Sequence, residues 1–163
     1  MQSHQFYDLV EQTIDYYFRL ALKHYPDLSA FAIVSTESFE CFSIAINHAE
    51  YFQDYVAGKM DISDEDFWNT AEWTRELFDM DYAYPAIDEI NQLLNDDLVS
   101  EHDFLSACHL ALKAVRQKYQ KNEICLFLHL TDLGSSDDLF SIVMDLNTPE
   151  MSKDYLNYYA DYL

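Results

Sequence analysis

Glycine occupies only two of 163 positions, Gly58 and Gly134. A loop whose backbone amides crowd a phosphate needs several such permissive residues, so a nucleotide-cradling loop has almost no place in this chain. With only three prolines beside them, collagen-like, linker-rich and low-complexity classes are excluded as well. No internal repeat and no linker interrupts the sequence. Residues 1–163 therefore read as a single domain, of a size that buries about 70% of the surface its unfolded chain exposes.

The elements follow from apolar spacing. Ser3 to His24 is a helix, with Phe6, Leu9, Val10, Ile14, Tyr17, Leu20 and Ala21 on one side. Asp15 four residues before Arg19 is the favourable order for a helix ion pair, and Tyr25-Pro26 ends the segment. Ala30–Ser35 and Cys41–Asn47 are short strands joined by the polar Thr36–Glu40, a hairpin with one apolar face and one face of small residues. Ser63 with Asp66, and Ser100 with Asp103, are capping boxes that open helices. Pro85 suits a first helical position. Ile87, Ile90, Leu94 and Leu98 then mark a core stripe, as do Phe104, Cys108, Ala111, Leu112, Val115 and Tyr119 after Ser100.

Ile124–Thr131 (ICLFLHLT) is apolar on both faces, which predicts a strand central in its sheet. Leu139–Asp145 has helical spacing but is short enough to be a strand. Thr148 and Pro149 look like the cap and first position of a last helix, whose Met151, Tyr155, Leu156, Tyr158, Tyr159 and Tyr162 form an aromatic stripe. The expected fold is α+β: a small, mostly antiparallel sheet, made of the hairpin plus a central strand, packed by about five or six helices.

Charge restricts the partners. Thirty Asp and Glu against nine Lys and Arg give a formal net charge of −21. Such a surface repels phosphate backbones and anionic membranes, and attracts a basic protein. It equally serves solubility. No apolar run approaches the roughly 18 residues that span a bilayer, and the N-terminus lacks the basic and apolar regions of a signal peptide. The expectation is a cytoplasmic protein that binds neither membrane nor nucleic acid directly. Cys41, Cys108 and Cys125 lie far apart, without CxxC spacing, and read as reduced structural thiols.

Motifs for chemistry are scarce. His4, Asp8 and Glu11 share a helix face, as do His102 and His109, but solvated polar faces far outnumber metal sites. Asp61–Glu72 half-resembles a calcium loop, yet Asp66 stands where the sixth-position glycine belongs. GxSxG and HExxH are absent. His129 lies within an apolar strand and reads as a core histidine. No catalytic, cofactor or metal residue is therefore assigned. The candidates for partner binding are Trp68, Glu72, Trp73 and Glu76 on one helix, Asp132 at a strand end, and Asp154, Tyr155, Tyr158, Asp161 and Tyr162 on the last helix. Strand ends feed functional loops, and tyrosines interleaved with aspartates suit an arginine-lined partner. Against this stand a core Trp73 with solvated neighbours, a turn-capping Asp132, and a last helix that packs its stripe on the sheet.

The order of features also carries a resemblance. The Trp-x-x-x-Glu-Trp pattern of Trp68, Glu72 and Trp73 lies within Phe67–Trp73 (FWNTAEW). An apolar strand then ends in Asp132 with Ser135 and Ser136 behind it, and Ser141–Asn147 closes with Leu146-Asn147-Thr148-Pro149. Over most of its length the chain resembles the bacterial family called domain of unknown function 4303. The resemblance implies a compact bacterial α+β domain and supplies no catalytic residues. Small acidic bacterial proteins of this kind are similar to the immunity proteins that neutralise toxins by binding them. Three functions stay open: an immunity or inhibitor protein with a basic, toxin-like partner, a carboxylate-dependent hydrolase, and a DNA mimic.

Overall fold

The computed structural model describes residues 3–48, 70, 73, 78–131 and 137–153. Helix α1 spans Ser3–His24, and strands β1 (Leu28–Thr36) and β2 (Ser43–His48) follow it. Then come α2 (Phe78–Asp81), α3 (Pro85–Asn95), α4 (Glu101–Tyr119), β3 (Cys125–Thr131) and α5 (Asp137–Leu146). A last helical segment, α6, covers residues 149–153. The fold is α+β, a small sheet packed by helices. Among the described residues no helix is long and apolar enough to cross a membrane.

The strand order is β2-β1-β3. β1 pairs antiparallel with β2, Phe31 opposite Ile46 and Ile33 opposite Ile44, and parallel with β3, Ala30 opposite Cys125 through Thr36 opposite Thr131. The sheet is therefore mixed, and β1 rather than β3 lies in its middle. The reason β3 is apolar on both faces is layering. Leu126, Leu128 and Leu130 join Phe31, Ile33, Ile44 and Ile46 in the main core with α1, α3 and α4. Cys125 and Phe127 face the other way with Ala30, Ala32 and Ala45, beneath Trp73, Phe140 and Val143. A strand covered on both sides needs apolar residues at every position, whatever its place in the order. The small residues of the hairpin's second face make room for Trp73, whose ring meets Phe127 edge-on at 5.2 Å.

Local signals place the helices. Asp103 N–H donates to Ser100 Oγ at 3.1 Å, which forms the N-cap of α4, and Asp103 Oδ2 accepts from the Ser100 hydroxyl at 2.8 Å in place of the backbone N–H that a full capping box engages. Pro85 opens α3, and Met151 N–H reaches Thr148 Oγ1 at 3.4 Å at the start of α6. α5 settles 139–145 as helix. The cap at Ser63 and the calcium-like stretch 61–72 lie, apart from Thr70, outside the described residues.

Three expectations need correction. Leu98 is 60% exposed. α3 stops at Asn95, and Asp97 adopts φ 52°, which swings Leu98 off the stripe while its N–H closes onto Leu93 C=O at 3.1 Å. Asp15 turns from Arg19 to α4, accepting from Lys118 Nζ at 2.7 Å and Tyr119 Oη at 3.0 Å through one oxygen. Phe18, outside the stripe read for α1, is fully buried against Phe31 at 5.2 Å. α1 packs on both α3 and α4, so its buried arc is wider than a single stripe.

Side chains occupy backbone groups on both sheet edges. Asn91 of α3 accepts from Phe42 N–H at 2.6 Å and donates to Phe42 C=O at 3.2 Å, as a neighbouring peptide would. Asp79 Oδ1 accepts from Ile44 N–H at 2.8 Å and Ser43 Oγ at 2.5 Å. On the other edge Asn147 accepts from Leu126 N–H at 2.8 Å and donates to Leu126 C=O at 2.7 Å. At these positions the closure removes unpaired edge groups of the kind that recruit another strand.

Candidate functional site

The residues expected to bind a partner fall mostly outside the described part of the chain: Trp68, Glu72, Glu76, Asp132, Asp154, Tyr155, Tyr158, Asp161 and Tyr162. Trp73 is described and is only 5% exposed, packed into the second core. His4, Asp8 and Glu11 stand exposed on α1, and His102 is exposed on α4. His129 is half-buried in β3. Among the described residues no group of three His, Cys, Asp or Glu side chains is placed to hold a metal ion.

What the structure adds is an uneven distribution of charge. Residues 78–103, which form α2, α3 and the start of α4, hold eight carboxylates and no Lys or Arg. Asp79 is committed to the β2 edge and Asp103 to the α4 cap. Asp81, Asp88, Glu89, Asp96, Asp97 and Glu101 are exposed. Asp81, Asp88, Glu89 and Glu101 ride on helices whose other faces are fixed in the core by Phe78, Ile87, Ile90, Leu94 and Phe104, and Asp96 and Asp97 form the turn that follows α3. The helical part of this run is thus presented on a rigid support.

Among the described residues, the four Lys and Arg of 113–121 are engaged. Lys113 Nζ and His109 Nε2 lie 2.6 and 2.8 Å from Asp145 Oδ2, and hydrogen bonds from these two hold the Asp145 carboxyl below the usual carboxylate range. Lys118 bonds Asp15, which raises the lysine above its ordinary value. Lys121 lies 3.4 Å from Glu123. Arg116 points inward to the carbonyls of Lys121, Ile124 (2.6 Å) and Leu146 (3.0 Å), and to Asn147 Oδ1 at 3.1 Å. Burial lowers its pKa. The second half of α4 is thereby neutralised locally, whereas the region before it has no cation of its own. Exposed carboxylates close in sequence, with no Lys or Arg among them, sum to a field that reaches a partner before contact.

The two buried thiols are held unreactive at neutral pH. Burial pushes Cys125 up to about 12 and also raises Cys108, so both stay protonated. Sequence reading missed the acidic face because acids are dense throughout the chain. The signal available was the absence of Lys and Arg between Arg75 and Lys113. No family model, curated protein or solved structure matches this chain.

Proposed function

We propose that this protein is a bacterial binding domain of immunity or inhibitor type, which engages a basic, toxin-like protein through the acidic face of α2, α3 and the start of α4. The observation that carries the reading is the run of exposed carboxylates at 81–101, with no Lys or Arg among them, on helices locked into the core and on the turn between two of them. Such a face accelerates encounter with a cationic surface and disfavours anionic partners. The resemblance to the domain of unknown function 4303 family and the net charge of −21 agree with it.

The experiment is a pull-down from the native lysate at low and high salt, with the retained proteins identified by mass. One stoichiometric basic partner, released by salt and lost from the triple variant Asp88→Lys, Glu89→Lys, Asp96→Lys, is the expected result. Retention of a nucleic-acid-binding protein through its nucleic-acid site would replace this reading with the DNA mimic. No partner at either salt would return attention to hydrolysis.

A further inference from the structure

A groove of about 460 Å³ runs between α1 and α4, lined by Glu11, Gln12, Asp15, Ala114, Val115, Gln117 and Lys118. Its volume lies in the range of small-ligand sites, roughly 300–1,000 Å³. The lining is graded. The half-buried Ala114 supplies an apolar floor that stays open because its side chain ends at Cβ, and Val115 beside it turns into the core. Glu11 and Asp15 add carboxylates, and Gln12 and Gln117 add amides.

Asp15 is the decisive group. Its side chain is 26% exposed, and a single oxygen, Oδ1, takes both the Lys118 and the Tyr119 hydrogen bonds. Oδ2 accepts from neither. Tyr119 also bonds the carboxylate, beside Lys118, whose side chain is 58% exposed and lies 5.3 Å from the centre of the Tyr119 ring. An incoming cation can therefore take the position of Lys118 without disordering Asp15.

We propose that this groove receives an arginine side chain of the basic partner, its guanidinium on Asp15 and Glu11 and its aliphatic stem along Ala114. This rests on the binding function proposed above. Guanidinium fits better than ammonium, because five donors in a planar fork can reach carboxylates and amide oxygens on both walls at once. The stem supplies the apolar contact that the floor asks for. Along α4 the groove lies about 20 Å from Glu101, at 1.5 Å per residue, a separation within the span of an interface of ordinary size.

The test uses the intact chain with N-acetyl-arginine amide and N-acetyl-lysine amide as probes, followed by amide NMR shifts at low ionic strength. Saturable shifts at residues 11–15 and 114–118 with the arginine probe, weaker with lysine, are expected. Ala114→Leu, which fills the floor, should weaken binding about tenfold or more, equivalent to at least about 1.4 kcal/mol. Lys118→Ala should tighten it several-fold by removing the competitor, whereas a merely structural Lys118 would leave affinity unchanged or reduced. Absence of saturation, equal binding of the lysine probe, or indifference to either variant overturns the proposal.

The pull-down separates the two readings. A basic partner retained equally by wild type and Ala114→Leu would uphold the binding function and sink the groove. Loss of every basic partner would sink both, even where the probe still binds.

Discussion

Replacing Asn147 by alanine tests the claim that amide side chains stand in for missing strands. Asn147 makes four hydrogen bonds: from Leu126 N–H and Arg116 Nη2 to Oδ1, and from Nδ2 to the carbonyls of Leu126 and Val143. Two of these partners survive its loss. Val143 C=O still accepts from Asn147 N–H at 3.1 Å, and Arg116 keeps the carbonyls of Ile124 and Leu146. The N–H and C=O of Leu126, a residue with no exposed surface, lose their side-chain partner together. Each buried group left unpaired costs about 1–3 kcal/mol. A cavity of about 160 Å³ beside Asn147 gives water a way in, which favours the lower part of that range. The expected loss is about 2–3 kcal/mol, which for a chain of this size corresponds to roughly 5–10 °C in Tm. Asn91→Ala, which removes two bonds to Phe42 rather than four, should cost less. Urea unfolding with a common m value reads both differences. If Asn147→Ala lies within about 0.5 kcal/mol of wild type, like an ordinary surface change, the edge is solvated and the reasoning fails.

Other substitutions probe the same local physics. Gln120 caps α4 at φ 52°, donating its N–H to Arg116 C=O; Gln120→Gly should stabilise by about 0.5–1 kcal/mol in thermal unfolding, and a loss would mean the side chain has a partner role. The Asp145 carboxyl is held below its ordinary value of 3.8 by Lys113 and His109, so its contribution is present above that pH and disappears as pH falls through the depressed folded value. Being 42% exposed, it contributes less than about 1 kcal/mol. Asp145→Asn should flatten that part of the stability–pH curve, and an unchanged curve would disprove the linkage. Under a thiol reagent at neutral pH the half-buried Cys41 should label first, with Cys108 and Cys125 reacting only on unfolding. Early labelling at Cys108 would contradict its burial.

Local interactions were the readable part of this sequence. The Ser100–Asp103 cap, Pro85 at the start of α3, Thr148 before α6 and the hairpin all depend on neighbours a few residues apart, and each is found where the spacing puts it. What could not be read depends on distance. The parallel pairing of β3 with β1 joins residues on either side of α3 and α4, and Asn91 reaches Phe42 across 49 positions. The left-handed positions were hidden for another reason: Phe39, Asp97 and Gln120 occupy them where glycine is the usual signal. In a chain with two glycines the turn is set by the hydrogen bonds around it. Phe39 N–H donates to Thr36 C=O at 3.0 Å and Glu40 N–H to Thr36 Oγ1 at 3.1 Å.

The same edge closure bears on how a partner can be recognised. A domain with a small sheet most simply recruits another protein by adding a strand to an open edge. Here Asn91 and Asp79 occupy hydrogen-bonding groups on the β2 side, and Asn147 occupies both groups of Leu126 on the β3 side. A strand pairing at these positions would first have to displace side chains that also fasten α2, α3 and the end of α5. Recognition through the helical faces carries no such cost, since Asp88, Glu89 and Asp96 already point to solvent and make no fold-holding bond. The acidic residues divide accordingly. Asp79 and Asp103 are spent on the fold, whereas the charge reversal at 88, 89 and 96 should abolish salt-sensitive binding while leaving urea stability within about 0.5 kcal/mol. A triple variant that binds normally, or that unfolds instead, would break this division.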